Sequence, residues 1–456
     1  MNAGWSRLYR YIPISLLVLS FLCSCKDNVT SRSRQFAPPI VVETKTLARI
    51  DTSASTAPVA DGSAASRISV YFQHQGLGVA YAVPVQNGFQ VVHLDKRGPI
   101  VQSLDAVAIS PDGSSIAYSA MHDGMWKMFV NGADAGPSAS VTMPVFSNSG
   151  AHLVYGAKRD TTWYLFLDGQ KITEGDIHIE SPYFNSEGTL LVYAAQKDQN
   201  KPLQLIVSEL ATKKTVTAVD NCGTGLVLSP DKSQAAAIQQ IDRQQRVARL
   251  TLNKASDIKF GQIYDIVGNL TFSPDGKNLA YIGIRGGKRF IVLNSKENAL
   301  PEGNIPFGLQ IFPNGQGVAC LLATQGGFRV HQAFSSILLP QQPYDEAEGL
   351  VVSPDSRRVA FAARRGDSWF IIENGVEGPV FDRAVSPKYS PDGSMLVYRV
   401  RKDNKRFVVV TNLKGQIIKQ FQPYEMIQEP VFSSDGKVVA YGVKDGDSLI
   451  WKVEKL

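Results

Sequence analysis

A short proline-containing turn followed by a small apolar run recurs along the chain, and FSPDGKNLAYIG at residues 272–283 is a clear copy. The serine of SPDG, or its equivalent, stands at positions 110, 147, 185, 229, 273, 312, 353, 390 and 433, and a degenerate copy, QHQGLGVAY, covers residues 73–81. The intervals run from 37 to 44 residues. Periods of this size are typical of folds in which one supersecondary unit buries its apolar faces against copies of itself.

The residues after each turn follow a common pattern. Segments of four to seven residues rich in Val, Ile, Phe and Tyr are separated by Asn-Gly, Asp-Gly and Gly-Gly pairs, which predicts strands joined by tight turns. Each repeat holds about four such segments, and residues 67–456 show almost no helical periodicity. The sequence therefore predicts an all-β protein. A second aromatic residue follows the tyrosine position in most copies: Phe89, Trp126, Trp163, Phe290, Phe328, Trp369 and Phe407.

The SPDG turn has a chemical explanation. Proline presets φ for the first corner of a type I turn, aspartate hydrogen-bonds to nearby backbone, and glycine accepts the left-handed conformation that ends the turn. Runs such as LLVYAA, FVVVT and WFIIE are apolar at successive positions, so both faces of each sheet must be covered. A ring of small sheets packed face to face covers both faces. We expect the alanine of LAY to lie where neighbouring sheets are closest, and the aromatic residues to form the core.

These copies resemble the WD40-like PD40 repeat of TolB-type periplasmic proteins and of prolyl oligopeptidase-like enzymes. The resemblance covers nearly all of residues 67–456. It implies a β-propeller of four-stranded antiparallel blades with about ten repeats. Eight blades with irregular ends, or two smaller propellers, are the alternatives. TolB-type proteins place a separate α/β domain before their blades, whereas here a short segment precedes them, so the resemblance implies a fold and not an activity.

The amino terminus carries Arg7 and Arg10 followed by a twelve-residue apolar stretch, IPISLLVLSFLC, which is too short for a membrane span and is typical of a secretory signal. The next residues, LCSC at 22–25, resemble the lipobox of bacterial lipoproteins. We therefore expect residues 1–24 to be a signal peptide and Cys25 to be lipidated, the alternative being an ordinary signal cleaved nearby. Because Lys26 and not aspartate follows, the resemblance implies a lipid anchor in the outer membrane, facing the periplasm.

Residues 25–66 are rich in Ser, Thr, Ala and Pro, which predicts a flexible tether. One segment of it, APPIVVET at 37–44, is similar to the GPIVQSL segment inside the repeats. The chain ends at LIWKVEKL, which the pattern predicts to be a third strand without a fourth. We therefore expect residues 37–44 to supply the outer strand of the last blade and to join the first repeat to the last.

The sequence contains none of the local motifs of serine hydrolases, metalloproteases, nucleotide-binding loops or EF-hands, and its six histidines share no ligand spacing. No catalytic residue, cofactor or metal ligand is therefore assigned, although a metal site assembled across blades is not excluded by sequence. Cys222 and Cys320 are predicted to be buried core residues, a disulfide between them being the weaker alternative.

Turns that join the second and third strands of the repeats should share one face of the ring, and basic residues outnumber acidic ones in them. A basic face attracts anionic partners. The arginines predicted for such a ligand face are Arg159, Arg243, Arg285, Arg289, Arg365, Arg401 and Arg406. In the alternative interpretation these bases pair with acids of the connectors between repeats, which are Asp105, Glu180, Asp220, Asp265, Asp345, Glu346, Glu348, Glu425 and Glu429.

Two functions remain compatible with the sequence. The first is a non-catalytic interaction or scaffold lipoprotein of the cell envelope that presents a propeller face to a protein or glycan. The second is a propeller enzyme that acts on an envelope glycan or peptide at the mouth of the central channel. A nucleic-acid partner is not expected, because the formal net charge is only +6 and the predicted location is outside the cytoplasm.

Overall fold

The computed structural model describes residues 40–50, 68–173, 175–180, 182–335 and 342–456. Within these ranges the chain forms 42 β-strands and no helix. The predicted all-β class is confirmed.

The strands form ten antiparallel sheets, which we number as blades 1 to 10 in chain order. The first strand of the chain, β1 (Lys45–Arg49), belongs to blade 10. Blade 1 contains β2 (Ser69–Phe72), β3 (Val79–Val85), β4 (Gly88–His93) and β5 (Lys96–Val101). Blade 2 contains β6 (Ser103–Ile109), β7 (Ile116–His122), β8 (Met125–Val130) and β9 (Ala133–Ser138). Blade 3 contains β10 (Ser140–Val141), β11 (Val145–Phe146), β12 (Leu153–Arg159), β13 (Thr162–Leu167) and β14 (Gln170–Lys171). Blade 4 contains β15 (His178–Ile179), β16 (Tyr183–Phe184), β17 (Leu190–Gln196), β18 (Gln204–Glu209) and β19 (Thr215–Asp220).

The remaining blades continue in the same way. Blade 5 contains β20 (Cys222–Leu228), β21 (Gln234–Ile241), β22 (Gln244–Thr251) and β23 (Lys254–Phe260). Blade 6 contains β24 (Ile266–Phe272), β25 (Leu279–Arg285), β26 (Lys288–Leu293) and β27 (Lys296–Ala299). Blade 7 contains β28 (Ile305–Ile311), β29 (Val318–Thr324) and β30 (Gly327–Ala333). Blade 8 contains β31 (Glu346–Val352), β32 (Val359–Arg365), β33 (Ser368–Glu373) and β34 (Val376–Glu377). Blade 9 contains β35 (Arg383–Tyr389), β36 (Met395–Lys402), β37 (Lys405–Asn412) and β38 (Ile417–Gln420), and blade 10 contains β39 (Met426–Ile427), β40 (Val431–Phe432), β41 (Val438–Asp445) and β42 (Ser448–Lys455).

Each blade is a simple meander in which neighbours in sequence pair antiparallel from the inner strand outward. In blades 3, 4 and 10 the inner strand is divided into two short segments that both pair with the second strand. Blade 7 has three described strands, and residues 336–341 after its third strand lie outside the described residues. Apart from the divided inner strands and blade 7, the blades have the four strands that the repeat pattern predicted.

The hydrophobic core is divided into ten clusters, and each cluster draws its buried side chains from two consecutive blades. The alanine of the LAY pattern is fully buried between blades, as at Ala80, Ala280 and Ala440. One cluster unites Ala440 and Trp451 of blade 10 with Tyr81 of blade 1. Since the last blade packs on the first, the ten blades form one closed β-propeller and not two smaller rings or an eight-bladed one.

The strand that closes the ring lies later in the chain than predicted. β1 (Lys45–Arg49) pairs antiparallel with β42 as the outer strand of blade 10, and Arg49 stands opposite Ser448. Residues 40–44 form no strand, and residues 37–39 lie outside the described residues. The Val41 N–H donates to the Gln75 carbonyl at 2.8 Å, and the Val41 carbonyl accepts from the Trp451 indole at 2.9 Å. The apolar segment therefore packs against the closing cluster, and pairing begins after it.

The SPDG turns have the predicted conformation. In blade 2 the Gly113 N–H donates to the Ser110 carbonyl at 2.9 Å, and Gly113 has a φ of 75°. The buried Ser110 hydroxyl donates to Asp112 at 2.5 Å and accepts from the Ser115 N–H at 2.9 Å. Hydrogen bonds from Ser110 and Ser114 lower the pKa of Asp112 to about 2. The same serine–aspartate bond is present at Ser229–Asp231, Ser273–Asp275, Ser353–Asp355, Ser390–Asp392 and Ser433–Asp435.

Candidate functional site

One face of the ring, which we call the upper face, carries the turns between the second and third strands of each blade and the connectors between blades. Hydrogen bonds join these two kinds of segment. The Gly286 N–H donates to Asp265 at 2.7 Å, and the Gly366 N–H donates to Asp345 at 2.7 Å. Because acids of the connectors accept from the turns, both sets lie on the same face, as the strand order predicted. The SPDG turns lie on the opposite, lower face.

Aromatic residues fix the connectors of the upper face to the blades. Tyr264 lies immediately before blade 6, is fully buried, and has its ring 6.0 Å from Tyr281 and 6.4 Å from Phe290. Tyr344 has the same contacts with Phe361 and Phe370, at 5.7 and 6.1 Å. Each such trio fills the space between two neighbouring blades near the upper face.

Four of the seven predicted arginines interact with side chains or carbonyls of the ring itself. The two corresponding residues Arg285 and Arg365 form ion pairs with Glu297 and Glu377, at 2.9 and 2.8 Å, and each guanidinium lies over two aromatic rings at 5.1–5.5 Å. Arg159 and Arg406 donate to backbone carbonyls, each at 2.9 Å. These four guanidinium groups are therefore engaged within the ring. Their partners are outer-strand acids and backbone carbonyls, and not the connector carboxylates of the alternative interpretation.

The other three predicted arginines have no such partner. Arg243, Arg289 and Arg401 form no ion pair or hydrogen bond through their side chains with any residue in the described ranges. Arg243 and Arg401 are exposed, and Arg289 is partly buried. Arg243 stands in the second-to-third-strand turn of blade 5, whereas Arg289 and Arg401 lie on β26 and β36, next to the corresponding turns of blades 6 and 9 at the upper face.

The acids predicted on the connectors are mostly engaged. Glu346 accepts from Arg364 at 2.7 Å, and Glu348 accepts from Arg383 at 2.7 Å. The remaining contacts are Asp105 with Ser119, Glu180 with His178, Asp220 with Gln204, Glu425 with Lys444 and Glu429 with Lys388. Glu346, Glu348, Glu425 and Glu429 are paired with arginines or lysines other than Arg243, Arg289 and Arg401. Asp105 and Asp220 bond to neutral groups and keep their negative charge.

Nothing in the described ranges forms a group of three or more His, Cys, Asp or Glu side chains placed to hold a metal ion.

Cys222 and Cys320 are both buried and unpaired, as predicted, so the alternative of a disulfide between them is wrong. Burial raises the pKa of both thiols to about 12, which keeps them protonated and unreactive at neutral pH. Cys25 lies outside the described residues.

Sequence reasoning did not single out Arg329 and His331, which line a cavity between blades 6 and 7. The available signal was indirect, because Arg329 stands in the third strand where blades 6 and 8 have Phe290 and Phe370. The connector Pro301–Asn304 of the upper face borders the same cavity.

No helix in the described part of the chain is long and apolar enough to cross a membrane.

No family model matches the chain, and no curated protein sequence matches it. Among solved structures, the chain is similar to a eukaryotic initiation factor at 12% identity, with 76% of this chain and 97% of that chain covered and a TM-score of 0.46.

Two further solved structures show similarity of the same order. TolB from Acinetobacter baumannii is 12% identical, with 71% of this chain and 80% of that chain covered and a TM-score of 0.30. The β-propeller domain of the Trilobed protease from Pyrococcus furiosus is 12% identical, with coverages of 61% and 97% and a TM-score of 0.34. Identities this low carry no information about activity. The class of this protein, an all-β propeller, follows from its own sheets.

Proposed function

We propose that this protein is a non-catalytic lipoprotein of the cell envelope whose upper face binds an anionic protein or glycan. The observation that carries the proposal is the set of guanidinium groups on that face that have no partner. The connector acids bond within the ring, whereas Arg243, Arg289 and Arg401 have no partner among the described residues. Unpaired guanidinium groups at the edge of a rigid scaffold are suited to bind carboxylates or sulfates of a partner.

The proposed location rests on the amino-terminal sequence. Arg7 and Arg10, the apolar stretch after them and LCSC at residues 22–25 resemble the export signal and lipobox of bacterial lipoproteins. Lipidation of Cys25 would anchor the propeller to the outer membrane, on its periplasmic side, through the residues that precede the part packed on blade 10. The PD40-like repeats agree with an envelope protein, and a nucleic-acid partner is not part of the proposal.

Charge reversal tests the upper face. The triple variant Arg243→Glu, Arg289→Glu, Arg401→Glu is expected to weaken binding of an acidic polypeptide, poly-L-glutamate, and of an acidic glycan, dextran sulfate, about tenfold or more. Binding by the unchanged protein should fall with rising salt, because the charges are near the surface. Biolayer interferometry on immobilised probes measures both effects, with neutral dextran as the blank.

A lower-face triple serves as the matched control. Lys277→Glu, Lys414→Glu, Lys437→Glu makes the same change in charge in exposed turns on the opposite side of the ring. Its affinity for the probes should stay within about twofold of the unchanged protein. Equal losses in the two triples would show that binding follows net charge alone and would refute a specific upper face.

A further inference from the structure

A cavity of about 370 Å³ lies between blades 6 and 7 at the upper face. Its walls are the connector Pro301–Asn304, the turn at Thr324–Gly326, and the side chains of Arg329 and His331 on the third strand of blade 7. The volume falls within the range of small-molecule sites in proteins.

The cavity exists because blade 7 departs from its neighbours at one register position. The position concerned is the residue of the third strand that pairs with the fifth residue of the second strand. It is Phe290 in blade 6, Arg329 in blade 7 and Phe370 in blade 8. The phenylalanines of blades 6 and 8 pack with a connector tyrosine. In blade 7 this position is arginine, and the connector Pro301–Asn304 contains no aromatic residue. Space that is filled by rings at the neighbouring interfaces is therefore open here.

Two polar groups on the cavity wall lack partners. Arg329 Nε and His331 Nε2 are both shielded from solvent and form no hydrogen bond with any described residue. Glu302 lies on the same wall but forms no ion pair with Arg329 at up to 4.0 Å. The Arg329 side chain is partly exposed and forms no ion pair with any described residue, so its guanidinium is available to a ligand anion. Packing does not explain an unpaired arginine at a register position where the neighbouring blades place phenylalanine, and a ligand would supply its partner.

The chemistry of the wall selects the ligand. Arginine binds carboxylates through two parallel hydrogen bonds. Burial lowers the pKa of His331, so this ring is neutral at pH 7 and can hydrogen-bond a hydroxyl group. Asn304 and Gln325 add two neutral amides. The exposed carboxylate of Glu302 lies on the same wall, and its negative charge disfavours a second negative charge on the ligand, because like charges repel.

We infer that this cavity binds a small hydroxylated monocarboxylic acid, with its carboxylate on Arg329 and a hydroxyl group on His331. The cavity is not lined by any of the three unpaired arginines of the upper face. A test of this inference is therefore independent of the proposed function.

Isothermal titration with D-gluconate tests the assignment, and D-glucose and inorganic phosphate are the comparators. Arg329→Gln should weaken gluconate binding about 10- to 100-fold, the fold-change for loss of a charged hydrogen bond. Glucose and phosphate should bind more weakly than gluconate. The control Arg357→Gln, which removes an exposed arginine of the lower face, should bind gluconate as the unchanged protein does.

A second variant distinguishes loss of binding from loss of folding. Arg329→Phe restores the residue type of blades 6 and 8 and should fold at least as stably as the unchanged protein, while binding no gluconate. The inference is overturned if the unchanged protein does not bind gluconate at millimolar concentration, if phosphate binds as tightly, or if Arg329→Phe still binds it.

Discussion

Replacement of Trp451 by alanine is expected to lower the free energy of unfolding by about 3–5 kcal/mol, the range for removal of a buried tryptophan. Trp451 is 1% exposed and belongs to the cluster that unites blade 10 with blade 1. Its indole also donates to the Val41 carbonyl at 2.9 Å. The substitution therefore removes packing and one hydrogen bond at the single interface that closes the ring.

Urea denaturation followed by circular dichroism measures this loss, and hydrogen exchange locates it. Trp369→Ala is the matched control, because Trp369 is also buried but lies between blades 8 and 9. Both variants should lose similar stability. Only Trp451→Ala should speed amide exchange in β1 and β42, whose pairing depends on the closing cluster. Unchanged exchange in these two strands would contradict the role given to Trp451.

Replacement of Gly283 by alanine is expected to cost about 1–3 kcal/mol through overpacking. A Cβ at this position would overlap the ring of Tyr264. That ring cannot move aside easily, because it is fully buried and its hydroxyl donates to Glu297 at 2.7 Å. The φ of Gly283 is not in the left-handed region, so the cost is steric and not conformational.

Gly326→Ala provides the matched control for this prediction. The nearest heavy atom to a Cβ at Gly326 is an Arg329 side-chain nitrogen at 3.9 Å, so this variant should change stability by about 0.5 kcal/mol or less. Thermal unfolding of the two variants gives the comparison. If both lose the same stability, the tight fit of Tyr264 against blade 6 is not what limits this position.

The parts of the fold that depend on local chemistry could be predicted from the sequence. The SPDG turn was predictable because proline, aspartate and glycine each have one role in it, and Asp112 and Gly113 adopt those roles. The buried tyrosines and alanines were predictable because runs apolar at successive positions need cover on both faces. The closing strand was not, since residues 40–42 and 47–50 are both partly apolar and only tertiary packing decides which one pairs with β42.

In the candidate site, contacts between residues distant in the chain could not be predicted from the sequence. The partners of Arg285 and Arg365 are Glu297 and Glu377 on the outer strands, and no sequence pattern joins them to the turns. The cavity was not predictable from the repeat spacing, because that spacing places Phe328 and Phe290 at one aromatic position. In the sheets, Phe328 stands one residue before Arg329, and a shift of one residue in a strand reverses the face.

Closure of the ring is tested most directly by joining its first and last strands. Arg49 and Ser448 are directly opposite partners of β1 and β42, and antiparallel partners have Cα atoms about 4.5–5.5 Å apart, within the span of a disulfide. In the variant Arg49→Cys, Ser448→Cys, with Cys23→Ser and Cys25→Ser to remove competing thiols, mild oxidation should give an intramolecular disulfide identified by mass spectrometry. The control pair Arg49→Cys, Lys296→Cys, which places the second thiol on blade 6, should stay unlinked. Free thiols in the first variant, or only crosslinks between molecules, would contradict a closed ring of ten blades.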